Sequence, residues 1–188
     1  MRSLAIKRAM DIGGAALGVM LLWPVMMLVA VMVRLDLGSP VLFRQRRPGL
    51  HGRPFPILKF RTMHHLYDAS GRRLPDRDRL TALGRLLRRT SLDELPELFN
   101  VLRGDMSLVG PRPLLMEYLE RYTPEEARRH EVKPGITGWA QVNGRDSISI
   151  PAKVEYDEYY LKNRSFIFDL KILWMTFLKV ISSEGVKH

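Results

Sequence analysis

From Ile12 to Val33 the chain reads IGGAALGVMLLWPVMMLVAVMV, 22 residues without a charged side chain. As a helix rising about 1.5 Å per residue, the run would be roughly 33 Å long, enough to cross the hydrocarbon core of a bilayer. A secretory signal has a shorter apolar core and a small-residue cleavage site. Here the run continues through Met, Leu and Val into Arg34, so removal as a signal is not expected. Two features oppose a simple crossing. Arg2, Lys7 and Arg8 precede the run while Arg34, Arg44, Arg46 and Arg47 follow it, so both flanks favour the cytoplasmic side. Pro24, near the middle, lacks an amide hydrogen and crowds the preceding turn, which allows a break where the helix enters and returns through one leaflet. Spanning helices also tolerate a single proline, so these residues leave both a crossing and a re-entrant helix open.

The 188 residues suffice for one domain with a real core beside the apolar element. The division read from them is a membrane element over 1–38 and a second part over 39–188. Formal net charge is +10, and its distribution is uneven: Pro40 to Thr90 holds 13 basic and 3 acidic residues, while the remainder balances. Such a block expects an anionic partner, whether phosphoester, acidic lipid headgroup or nucleic acid; the bland alternative is a solvated face. Arginines beside a long apolar segment fit phospholipid and diphosphate better than nucleic acid, and no base-reading pattern is visible. With no cysteine, disulfides and thiolate sites are excluded, which leaves oxygen ligation of a hard ion such as magnesium.

Val41 to Phe43 and Phe55 to Phe60 are short apolar runs separated by Pro48-Gly49 and His51-Gly52, the pattern of a small hairpin. An extended Phe55–Arg61 would put Lys59 and Arg61 on one face, pointing away from the core, with Leu58 and Phe60 on the other. Adjacent His64 and His65 make a poor ligand pair. Residues 69–79 read as a polar loop. Leu80 to Arg89 is a short basic amphipathic helix, suited to a headgroup plane or to a soluble core.

TSLDELPELFNVLRGDMSLVGPRP, from Thr90 to Pro113, is the most informative stretch. Ser91 and Glu94 have capping-box spacing, while Pro96 is acceptable only in a first turn, so a helix begins here and Asp93 and Glu94 lie at its positive end. An aspartate there is suited to nucleophilic attack on phosphorus or to magnesium ligation, although acidic residues in first turns usually only cap. Gly104 and Gly110 allow tight turns, and Pro111 and Pro113 present Arg112 rigidly, as suits phosphate oxygens. Beyond a polar helical stretch broken at Thr123-Pro124, VKPGITGWAQVNGRD reads as a loop placing Trp139, Gln141, Asn143 and Arg145 near a ligand. Lys153 to Lys162 begins a helix that carries Asp157. The last helix, FDLKILWMTFLKVI, sets Leu170, Leu173, Trp174, Phe177, Val180 and Ile181 in one stripe, for a headgroup layer or a core.

These segments together resemble the bacterial sugar transferase family, the monotopic polyprenyl-phosphate phosphoglycosyl transferases. The match runs from KRAMDI at Lys7 through Pro24, PVLFRQRRPG, KFRTM, RRTSLDELPELFNVLRGDMSLVGPRP and KPGITGWAQVNGR to Tyr156, Asp157 and Tyr160. The resemblance implies a small, minimal catalytic form with an α+β, predominantly helical fold: a re-entrant membrane helix broken at Pro24, a catalytic domain on the cytoplasmic face of the bacterial inner membrane, and interfacial amphipathic helices. Trp23 departs from the small polar residue that relatives often carry before the proline. The implied reaction moves a phosphosugar from a UDP-sugar to undecaprenyl phosphate with release of UMP, starting glycoconjugate assembly. Asp93 would be the nucleophile and Glu94 the magnesium ligand. Lys59, Arg88, Arg112 and Arg145 would hold phosphates, with Arg61, Gln141, Asn143 and Asp157 in support. Donors carrying N-acetylhexosamines, their diamino derivatives or galactose all fit. Anionic phospholipid is an expected partner, nucleic acid is not, and the lipid-facing stripes leave room for a homodimer contact. The rival reading is a basic membrane-binding module in which Asp93 and Glu94 only cap a helix.

Overall fold

The computed structural model describes residues 2–68, 70–144 and 148–182. Its first element, α1 (Arg2–Leu37), is one unbroken helix with Pro24 inside it, in place of the interruption expected there. Proline costs a helix one amide donor. That local defect is tolerated here because the rest of the protein packs on both sides of it. Ala15 and Val19 lie in a cluster with Phe55, Ile57, Leu98 and Val101, while Met26, Val29 and Val33 join Phe60 and Leu87. One stripe of α1 is thus covered along its length, while Leu17, Met20, Leu21, Trp23, Leu28 and Val31 remain exposed.

Both ends of α1 are tied to the same body. Near the start, Lys7 donates to Asp169 at 2.7 Å and to the Val109 carbonyl at 3.1 Å. Arg8 donates to the Val101 and Leu102 carbonyls at 2.7 and 2.9 Å, satisfying acceptors at the end of the helix Glu97–Arg103. Asp11 accepts from the Ser107 hydroxyl and the Leu108 amide. At the far end, Arg61 donates to the Leu37 carbonyl.

The expected hairpin is present, with β1 (Leu42–Pro48) antiparallel to β2 (Pro54–Phe60). Strand alternation aims Phe55 and Ile57 at the cluster containing Leu98, and Lys59 continues that face. Phe60 points the other way, to α1. Lys59 thus sits on a core-facing side, and Arg61 lies past the strand end and is buried, which corrects the expectation that both would point away from the core. The chain then makes an excursion, held by isolated bridges Met63↔Leu80 and Tyr67↔Arg73, with a one-turn helix α2 (Asp76–Arg79) where a loop was expected.

Thr81 caps α3 (Ala82–Thr90) by accepting from the Gly84 amide at 2.8 Å. Gly84 faces the backbone of Thr62 so closely that a Cβ there would lie 2.1 Å from the Thr62 carbonyl oxygen. Ser91, at φ 57°, closes α3 instead of forming the capping box read from the sequence. A single turn, Leu92–Glu94, follows, and α4 (Glu97–Arg103) starts after Pro96, so the proline sits at the N-cap, outside the first turn, and Asp93 and Glu94 lie in the turn ahead of it.

β3 (Ser107–Val109) runs parallel to β4 (Gly135–Thr137). At the crossing, a Cβ on Gly135 would stand 2.1 Å from the Gly110 nitrogen, so Gly110 serves a close backbone approach and not the tight turn expected. Between these strands Thr123 and Glu126 form a capping box on α5 (Pro124–Ala127). The segment expected to be a loop contains β4 and a short helix, α6 (Trp139–Asn143). α7 (Ile150–Asn163) and α8 (Phe166–Ser182) complete the described chain. Ile172 of α8 packs inward with Val109, Val142 and Tyr160, whereas Leu170, Trp174, Phe177 and Val180 face outward.

The Gly84 contact yields a test. Gly84→Ala should displace α3 from Thr62 and cost about 1–3 kcal/mol, the usual range for overpacking. Chemical unfolding of the nanodisc-held protein measures it, and unchanged stability would rule out the close approach.

Candidate active site

Asn100, fully buried on α4, fixes the strand that carries Lys59. Its side chain accepts from the Leu58 amide at 3.0 Å and donates to the Pro56 carbonyl at 2.8 Å. Lys59 thereby reaches the turn before α4, where its ammonium lies 2.6 Å from Glu94 and 3.2 Å from Glu97. Arg112, from the Pro111–Arg112–Pro113 segment, forks onto the same Glu94 carboxylate, with Nη2 on Oε1 and Nη1 3.4 Å from Oε2. Burial alone would push Glu94 up. The charges and hydrogen bonds of Arg112 and Lys59 outweigh burial and hold it well below the usual carboxylate range.

Asp93 lies beside this cluster, mostly buried but on the wall of the cavity. It makes no hydrogen bond or ion pair of its own among the described residues. Burial, and then the neighbouring Glu94 charge, raise its carboxyl, while Lys59, Arg112 and Arg88 pull it down. Arg88 is oriented by donating from Nε to the Thr62 hydroxyl at 3.1 Å.

Sequence reasoning passed over Glu97. It is 1% exposed, and its Oε1 pairs with the Lys59 ammonium at 3.2 Å without accepting a well-directed hydrogen bond. Burial, then the charge of Glu94, pushes it up to about 7 despite Lys59. The signal available in the sequence was spacing, since a residue three after Glu94 shares its side of a helical turn.

The cavity around these groups measures about 850 Å³. Among the described residues eleven Lys and Arg side chains line it against four carboxylates, a balance suited to a polyanion. Lys59, Arg61, Arg88, Asp93, Glu94, Arg112, Gln141 and Asp157 all reach it, so most of the candidate residues do converge. Asn143 does not: its amide donates to the Trp139 carbonyl within α6. Trp139 is used in packing, with Tyr159 and Phe168 rings at 5.8 and 4.9 Å. Arg61 touches the cavity but is committed to Leu37. Pro24 belongs to α1, and Arg145 lies outside the described residues.

No group of three His, Asp or Glu among the described residues could cage a metal ion. Two neighbouring carboxylates, Asp93 and Glu94, border the cavity, the number that a magnesium ion held mainly by substrate phosphates and water takes from a protein, although in this structure Glu94 faces Lys59 and Arg112.

Fold and cavity together define a mostly helical protein with a cation-rich cavity and a long, largely uncovered apolar helix. The chain belongs to the bacterial sugar transferase family, whose family model matches residues 2–183. It is 55% identical over 183 residues to the uncharacterized sugar transferase EpsL of Bacillus subtilis, covering 97% of this chain and 91% of that protein. Identity is 44% to the UDP-glucose:undecaprenyl-phosphate glucose-1-phosphate transferase of Escherichia coli, over 93% of this chain and 40% of that protein. It is 40% to the UDP-N-acetylgalactosamine-undecaprenyl-phosphate N-acetylgalactosaminephosphotransferase of Aeromonas hydrophila, over 97% and 45%. The chain therefore spans less than half of these last two relatives.

Glu97 makes the site's pH dependence testable. Between its ordinary value of 4.5 and about 7, the folded chain keeps a proton that the unfolded chain has released. Stability from this group is therefore complete below the ordinary value and is lost as pH rises through about 7. Glu97→Gln should flatten that decline in chelator-treated protein unfolded near pH 5 and pH 8. An unchanged difference between the two pH values would refute the assignment.

Proposed function

We propose that this protein transfers a phosphosugar from a UDP-sugar to a polyprenyl phosphate such as undecaprenyl phosphate, releasing UMP, through a covalent adduct on Asp93. The observation that carries the reading is the contrast between two neighbouring carboxylates on the wall of a cation-rich cavity. Glu94 is held by Lys59 and Arg112, whereas the oxygens of Asp93 are not committed to any described partner. The names of the E. coli and A. hydrophila relatives supply the substrate classes.

In the first step an Asp93 oxygen attacks the sugar-proximal phosphorus. A bond forms from that oxygen to phosphorus, the bond to the bridging oxygen breaks, and UMP departs with the electron pair. In the second, a phosphate oxygen of the polyprenyl phosphate attacks the same phosphorus and expels the Asp93 carboxylate. Both steps bring anions together, and Lys59, Arg88 and Arg112 stand where they would offset that charge. Arg145 is assigned to the same task. Glu94 would hold magnesium, whose bound form neutralises phosphate charge. Two half-reactions also suit a site at a lipid boundary, because the soluble and the greasy substrate need not be bound together.

The membrane arrangement belongs to the same proposal. A helix of 36 residues is roughly 54 Å long, yet Lys7 and Arg8 at one end and Leu37 at the other are held by one body. This supports a monotopic protein in which α1 (within 1–38), held against the body at both ends, stays in one leaflet of the inner membrane, while residues 39–188 stay on the cytoplasmic face. The outward apolar faces of α1 and α8 would bed into lipid, beside anionic headgroups.

Incubation with a panel of UDP-sugars, magnesium and undecaprenyl phosphate should release UMP from one or a few donors. Asp93→Asn should abolish the release without loss of membrane insertion, and retained turnover, with deamidation checked, would reject the nucleophile. An N-terminal tag in sealed inverted vesicles should be reachable from the cytoplasmic side; protection there would sink the monotopic arrangement.

A further inference from the structure

Pro111, Arg112 and Pro113 contain one backbone amide hydrogen among them, so the segment is oriented mainly through its carbonyls. Each carbonyl is taken by a different element. The Gly135 amide donates to Pro111 at 3.0 Å, Arg129 Nη2 to Arg112 at 2.8 Å, and Arg47 Nη1 to Pro113 at 3.4 Å. Arg129 is the central clamp. Its side chain is 3% exposed, its Nη2 stands 2.7 Å from Asp157 of α7, and its Nη1 donates to the Tyr122 hydroxyl at 2.7 Å. A guanidinium this deeply buried is costly unless it is fixed on several sides, and here three partners from three elements fix it.

We propose that Arg129 is a positioning residue for Arg112: backed by Asp157 and Tyr122, it sets the backbone from which the Arg112 guanidinium reaches Glu94. The path is continuous, from Asp157 through Arg129 to the Arg112 carbonyl, and from the Arg112 side chain to the carboxylate that Lys59 also holds. Lysine at position 129 would keep the charge beside Asp157. With a single ammonium it cannot span Asp157, Tyr122 and the Arg112 carbonyl in the same planar geometry. This role serves the phosphosugar transfer proposed above and rests on that reading.

A double-mutant cycle on the full chain in nanodiscs tests it, comparing Arg129→Lys, Arg112→Ala and the pair. The readouts are kcat/KM for UMP release, magnesium–UDP affinity by calorimetry, and melting temperature. Arg129→Lys should lower kcat/KM about tenfold or more per folded molecule, and the pair should be no worse than Arg112→Ala within about threefold, because one residue acts through the other. Tyr122→Phe, which removes one partner of Arg129 away from the cavity, should cause a smaller loss that vanishes in the Arg112→Ala background; this variant carries the test if Arg129→Lys folds poorly. Losses that multiply, or turnover per folded molecule that stays at the wild-type level while melting falls, would overturn the positioning role and leave the transferase reading intact. A wild-type chain that neither releases UMP nor binds magnesium–UDP would overturn both.

Discussion

One carboxylate, Glu94, is where the body's elements meet. β2 brings Lys59 to it, the Pro111–Arg112–Pro113 segment brings Arg112, and the turn between α3 and α4 carries it. Charges removed from water lose solvation that their attraction only partly restores, so this cluster adds little net stability while being intolerant of displacement. Stability must come from the apolar clusters around Phe55, Phe60 and Val109. The ion cluster determines where those elements must stop. Asn100 keeps β2 on α4, and the glycine crossing at Gly110 and Gly135 keeps the proline segment beside β4.

What the sequence disclosed depended on whether a residue's role is local. The hairpin followed from short apolar runs and turn residues, and the break at Thr123-Pro124 from its residue types, because both depend on near neighbours. The capping box at Ser91 did not form because closure of α3 claims that residue in a left-handed conformation, a demand imposed by the preceding helix. α6 was read as a loop since its glycines argue against a helix interior. Gly138 and Gly144 in fact flank the helix, and Gly135 answers a strand distant in sequence. Asp93, Glu94 and Arg112 stood out by their place at a helix start and in a proline-held segment, while Lys59 and Arg88 entered as site candidates through the family resemblance. Glu97, Arg47 and Arg129 did not stand out, because their importance lies in what they touch across the fold.

α1 serves two environments at once. Its covered stripe carries mostly small and medium side chains, Ala15, Val29 and Val33 beside one larger Met26, whereas Leu17, Met20, Trp23 and Leu28 on the open side are bulky and uncovered. Apolar side chains gain little by moving from lipid to a protein interior, so hydrophobicity alone would not hold helix and body together in a bilayer. The polar ties at its ends do that work: Lys7 with Asp169, Arg8 with the end of α4 and Asp11 with β3 near the start, and Arg61 with the Leu37 carbonyl at the far end.

The excursion after β2 has a different standing from the rest of the cavity wall. It contributes Arg73 and Arg77 to the lining, yet among its described residues the bridges Met63↔Leu80 and Tyr67↔Arg73 pair the backbone across the loop and none belongs to the buried apolar clusters. The opposite wall, with Glu94 and Arg112, is fixed by contacts from several elements. Inheritance can therefore treat the two walls differently. Substitutions, insertions and deletions in the excursion would reshape one side of the chamber at small cost to folding, while the cluster around Glu94 stays constant. A frame divided in this way can diversify what it accepts without having to reinvent what it does.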